Sequence, residues 1–130
     1  MAIKSILVVD DSPTDRKQLS DMLTKSGYKV ATAESAEEAL AKVKQINPDL
    51  VLMDVVMPGQ NGYQATRQLT KDDSTKHIPV IMLSSKDGVF DRARGRLAGS
   101  DQYLTKPFTR EGLIEVVNQY VGAKPASTTS

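Results

Sequence analysis

Two runs of four apolar residues, Ile6-Leu7-Val8-Val9 and Leu50-Val51-Leu52-Met53, each lead directly into carboxylates, Asp10-Asp11 and Asp54. Uninterrupted runs of this length read as strands covered on both faces, unlike the alternating pattern of a strand with one wet side. Three further strand segments are read at 29–33, 80–83 and 102–105, the last leading into Lys106, and the stretches between strands read as helix. Strict alternation of this kind is the signature of a parallel sheet flanked by helices. Because βαβ crossovers are right-handed and connections short, the expected fold is α/β. It is a flavodoxin-like doubly wound (βα)5 sandwich with a parallel five-stranded sheet of order 2-1-3-4-5.

Local punctuation supports that plan. Strand β1 is expected over 5–10. Helix α1 opens at a Ser12 cap with Pro13 in the first turn, presents Leu19, Met22 and Leu23 inward and stops at Gly27. After β2, over 29–33, the pattern Ser35-Ala36-Glu37-Glu38 opens α2, with Ala39, Leu40, Val43 and Ile46 inward, and Asn47-Pro48 ends it. Strand β3 covers 50–54. The turn Pro58-Gly59-Gln60-Asn61-Gly62 then leads into α3, which runs to about residue 69. The remaining elements are β4 (80–83), α4 (roughly 89–98), β5 (102–105) and α5, which Thr109 caps and which buries Leu113, Ile114, Val117, Tyr120 and Val121. Residues 1–121 thus form one domain, and 122–130, with nothing to bury, are expected to be a disordered tail.

Composition narrows the function classes. A chain of 130 residues can bury most of its apolar surface in a single core. A net charge of +1 gives no case for nucleic acid or for an anionic membrane surface. There is no cysteine, which excludes disulfides and thiolate metal sites. The N-terminus lacks signal-peptide regions, and no apolar stretch approaches the roughly 20 residues that span a bilayer. A soluble cytoplasmic protein without membrane insertion is expected.

In such sheets ligands bind beyond the carboxyl ends of the strands, where the strand order reverses. For the order 2-1-3-4-5 that point lies between β1 and β3, the two strands that end in Asp10-Asp11 and Asp54. Three carboxylates in one crevice repel one another and call for a hard divalent cation held by oxygen ligands, hence Mg²⁺. Lys106, just after β5, adds positive charge at the same edge. Metal plus lysine exceeds what resting carboxylates need, and suits a dianionic phosphoryl group arriving there. Asp54, alone at the end of the central strand, is best placed as a nucleophile forming an aspartyl-phosphate, and Ser84 at the end of β4 offers a hydroxyl to its oxygens.

The set Asp10-Asp11, Asp54, Ser84 and Lys106-Pro107, in this order and on these strand ends, resembles the receiver domain of two-component response regulators over about 3–121. The resemblance implies that Asp54 accepts phosphate from a histidine kinase. It implies that Asp11, Asp54 and the backbone carbonyl of Val56 bind Mg²⁺, with Asp10 assisting through water, and that Lys106 contacts the phosphoryl group beside a cis Lys106-Pro107 bond. Ser84 and Tyr103 take the places of the family's switch pair. Val56 and Lys86, two residues after the phosphoacceptor and the switch serine, can shape access for the hydrolytic water and are expected to affect dephosphorylation. Because the chain stops after α5, the resemblance implies a stand-alone, chemotaxis-type receiver. It would be phosphorylated by a CheA-like kinase, signal to a protein target through the α4-β5-α5 surface, and exist as a monomer or weak dimer. It would not be a conventional enzyme, though it could lose its own phosphoryl group. The stretches Gly62-Tyr63-Gln64-Ala65-Thr66-Arg67, Ser84-Ser85-Lys86-Asp87-Gly88 and 99–108 are similar to single-domain regulators of type IV pilus twitching motility.

Other functions fit less well. A flavodoxin-like electron carrier would find Asp10-Asp11 repelling its FMN phosphate. A haloacid-dehalogenase-type phosphohydrolase needs an Asp two residues after the nucleophile, where this chain has Val56. A phosphate sink and a phosphorylation-independent, receiver-like binding module remain as alternatives.

Overall fold

In a computed structural model, the residues described are 4–54, 62–84, 99, 102–105 and 109–121. Five parallel strands, β1 (Ser5–Val9), β2 (Lys29–Ala33), β3 (Leu50–Asp54), β4 (Val80–Ser84) and β5 (Gln102–Thr105), form one sheet in the order 2-1-3-4-5. Four helices are described: α1 (Pro13–Lys25), α2 (Ala36–Ile46), α3 (Gly62–Lys71) and α5 (Arg110–Val121). The expected α4 and the tail 122–130 lie outside the described residues. None of the described helices is long and apolar enough to cross a membrane.

The two-residue period of a strand divides the core into two layers. Leu7, Val9, Val51, Met53 and Val80 face α2 and α3, together with Ala39, Val43, Ala65 and Leu69. Ile6, Val8, Leu50, Leu52, Ile81 and Leu83 face α1 and α5, against Leu19, Leu23, Leu113 and Val117. β1, β3 and β4 are buried on both faces, as their unbroken apolar runs require, and each fully buried Leu, Ile or Val contributes roughly 1.5–3 kcal/mol.

The helix ends follow the side chains at them. Ser12 Oγ accepts the Asp15 N–H and opens α1. At the other end Gly27 adopts φ +96°, and the N–H groups of Ser26, Gly27 and Tyr28 return to the carbonyls of Leu23 and Thr24. Ser35 Oγ accepts the Glu38 N–H at 3.1 Å, while the Glu38 carboxylate reaches the N–H of Glu34, one residue before the cap, at 2.7 Å. The Glu34 N–H above all, and then Lys42 beside it, hold the Glu38 carboxyl below its usual range. Gly99 has φ +95°, and a Cβ there would lie 2.6 Å from Thr70 Oγ1, so glycine is required where the chain passes α3.

Several expectations at element ends need correction. β1 ends at Val9, leaving Asp10 just beyond it, whereas β4 includes Ser84 and α3 continues to Lys71. Ile46, expected inward, is 42% exposed. It is the last helical residue before Asn47 turns left-handed at φ 48°, and Pro48 takes the buried position as the chain enters β3. Met22, Leu40, Ile114 and Tyr120 are half-buried at the margins of the two layers.

Candidate functional site

The register of the sheet gathers the acidic residues. Val9 of β1 pairs with Met53 of β3, so one step further along both strands brings Asp10 abreast of Asp54. Asp10 and Asp54 also share parity with Val8 and Leu52, on the α1/α5 side. Asp54 pairs with Leu83, so Ser84 lies one residue beyond it on the neighbouring strand, paired with Thr105. Lys106 follows Thr105 directly in the chain. Lys106, Val56 and Lys86 lie outside the described residues, as does the Lys106-Pro107 bond, and of Ser84 the strand position alone is described.

Carboxylate oxygens of Asp10, Asp11 and Asp54 lie within 4.8 Å of one another. Asp10 is 1% exposed and Asp54 8%, while Asp11 stands open to solvent. At such a separation two carboxylates repel by roughly 3–4 kcal/mol at an effective dielectric near 20. A folded chain keeps three of them together only if something offsets that repulsion. Ligands of one octahedral Mg²⁺, at about 2.1 Å each, stand about 3–4 Å apart. The spacing here is therefore close to what one hard cation bridges, and an all-oxygen donor set suits Mg²⁺ or Mn²⁺ over softer metals.

The turn below the trio is tightly specified. The Asp10 N–H donates to Ala33 O at 3.1 Å, and Asp10 Oδ1 accepts the Ser12 N–H at 2.9 Å. Arg16 Nη1 donates to the Asp10 carbonyl at 2.8 Å, with Nη2 4.0 Å from Glu34 Oε1. Sequence reasoning passed over Arg16, although the signal was there. Arg16 lies three and seven residues before Leu19 and Leu23, so a cation heads the inward stripe of α1.

Tyr103 takes its place on the opposite side of the sheet. Its half-buried ring packs with Met82 and Tyr63 next to α3, a contact that the sequence did not suggest.

Comparison with known proteins bears on this arrangement directly. Residues 6–118 match the response regulator receiver domain family. Protein PilH of Pseudomonas aeruginosa is 50% identical over 113 residues, which cover 87% of this chain and 93% of PilH. Protein PilG of the same organism is 45% identical over 116 residues, covering 89% of this chain and 86% of PilG. Among solved structures, the receiver domain of a sensor histidine kinase from Pseudomonas aeruginosa PAO1, with magnesium ion coordinated in its active site cleft, superposes with a TM-score of 0.86. That pair is 30% identical, covering 93% of this chain and 99% of the other. With its acidic residues gathered at the switch point of a 2-1-3-4-5 sheet, this chain belongs to the response regulator receiver domain family.

Proposed function

We propose that Asp54 is the phosphoacceptor of a two-component phosphorelay and that its phosphorylation is the input to which this protein responds. The observation that carries the reading is the meeting of three strand-end carboxylates, two of them buried, within 4.8 Å. An Asp54 carboxylate oxygen attacks the phosphorus of a phosphohistidine. A P–O bond forms, the P–N bond breaks, and the imidazole leaves with a proton. Mg²⁺ bound by Asp11, Asp54 and the Val56 carbonyl, with Asp10 acting through water, would neutralise the phosphoryl oxygens. Lys106 supplies a further positive charge from the end of β5.

Output follows from the same strand ends. Ser84 draws toward the phosphoryl group, Tyr103 shifts against Met82 and Tyr63, and the α4-β5-α5 surface changes its affinity for a protein target. Val56 and Lys86, two residues beyond the phosphoacceptor and the switch serine, tune the rate at which water removes the phosphoryl group. The donor is a CheA-like histidine kinase in the cytoplasm, and the process controlled is twitching motility or a chemotaxis-like response. The stretches shared with pilus regulators and the 50% identity to PilH support that reading.

The test is incubation with acetyl phosphate or beryllofluoride, with and without Mg²⁺. Mg²⁺-dependent labelling, together with a beryllofluoride-induced change in Tyr103 fluorescence or NMR signals, is the expected result. A chain that labels but shows no change beyond the site acts as a phosphate sink. A chain that does not label is a binding module that works without phosphate.

A further inference from the structure

Among the hydrogen bonds that hold Asp10, three tie it to two neighbouring elements, β2 and α1. Its N–H reaches Ala33 O at the end of β2, its carboxylate takes the Ser12 N–H at the start of α1, and its carbonyl takes Arg16 Nη1 from the first turns of α1. The Arg16 side chain is 16% exposed, and its second nitrogen faces Glu34, the residue after β2. The Arg16 main-chain N–H in turn donates to Ser12 O at 2.9 Å. The guanidinium therefore closes a ring from the end of β1 through α1 to the end of β2, and the Asp10-Asp11 pair stands on that ring.

A cation beside three carboxylates could simply offset their charge. Geometry argues for more, because the guanidinium donates to a main-chain carbonyl that carries no net charge, and so fixes the peptide that joins Asp10 to Asp11. A planar fork can donate to Asp10 O while facing Glu34; the single ammonium of a lysine cannot do both in the same geometry. We infer that Arg16 is a positioning residue for the divalent ion. By anchoring the Asp10 carbonyl it sets the direction in which the Asp10 and Asp11 carboxylates point. This rests on the reading of the acidic trio as a Mg²⁺ site.

The two roles differ in sign. If Arg16 acts by charge alone, removing it takes a repelling cation away from Mg²⁺ and tightens binding. If Arg16 positions the carboxylates, removing it weakens binding in spite of that relief. Calorimetric titration of the full chain with MgCl₂ separates the two. Arg16→Lys and Arg16→Gln are both expected to bind about tenfold more weakly than wild type, in the range found when a group that orients a metal ligand is lost. Arg16→Lys binding as wild type does, or Arg16→Gln binding more tightly, overturns the inference. A second readout needs no metal: the amide ¹H–¹⁵N signal of Ser12, which donates to Asp10 Oδ1, should shift in Arg16→Lys while signals of α5 stay in place. An unmoved Ser12 signal overturns the inference even in a chain that folds normally. Should the wild type bind no Mg²⁺, the metal reading itself fails, and the Ser12 signal still decides whether Arg16 holds Asp10.

Discussion

The two ends of the same strand pair use acidic residues in opposite ways. Where β1 and β3 begin, Asp49 accepts the Ser5 N–H at 2.8 Å and stands 3.4 Å from the Ser5 hydroxyl, while its own N–H donates to Ser5 O at 2.8 Å. That carboxylate closes a reciprocal clasp and pins the register of the two central strands. Where β1 and β3 end, Asp10, Asp11 and Asp54 crowd within 4.8 Å and gain nothing from one another. One end stabilises the fold; the other holds like charges together at a cost that a ligand can relieve. Strain of this kind collects at functional sites because the rest of the structure over-determines it.

Substitutions at the two ends should therefore separate stability from ligand binding. The largest effect is expected at Asp11, where Asp11→Asn should lower Mg²⁺ affinity about 100-fold in a calorimetric titration and leave the melting temperature in EDTA nearly unchanged. Asp49→Ala should do the reverse. It should lose about 2 kcal/mol in urea denaturation, the scale of a hydrogen bond to a charged group, with Mg²⁺ affinity intact. Equal loss of Mg²⁺ binding in both variants would break the distinction between the two ends. A smaller effect of opposite sign is expected at Asp10. Without metal, Asp10→Asn should gain about 1 kcal/mol, since a like charge is removed while an amide oxygen can still accept the Ser12 N–H.

Smallest of these is Glu38→Gln, away from both ends, at about 0.5 kcal/mol of helix-cap stability at neutral pH. Bonding to the Glu34 N–H lowers the folded carboxyl below its unfolded value. Its contribution is thus complete above the unfolded pKa and lost as pH falls through the lower, folded one. Wild type and Glu38→Gln should differ at pH 7 and converge in acid; a gap that widens in acid would refute the assignment.

Much of this was legible in the residues. Unbroken apolar runs gave β1, β3 and β4, because strands buried on both faces need no polar alternation, and the carboxylates that ended two of those runs marked the site. Features that depend on what lies across space were not legible. Whether Ile46 is covered depends on where the chain turns at Asn47, not on the helical period that placed it inward. The Asp49–Ser5 clasp joins residues 44 positions apart and leaves no local pattern. Arg16 did leave one, a cation at the head of an apolar stripe, but its meaning depends on a carbonyl that only the fold brings near. Tyr63 reads as an ordinary helix residue until the register sets Met82 and Tyr103 beside it.

Mapping the label is the most direct test of the central claim. The chain is phosphorylated with acetyl phosphate and Mg²⁺, the acyl phosphate is trapped by reduction, and its position is read by peptide mass spectrometry. The expected result is one modified residue, Asp54, with labelling lost in Asp54→Asn and in EDTA. A label on Asp10 or Asp11 in the wild-type chain, or an Asp54→Asn chain that labels as well as wild type, would contradict it.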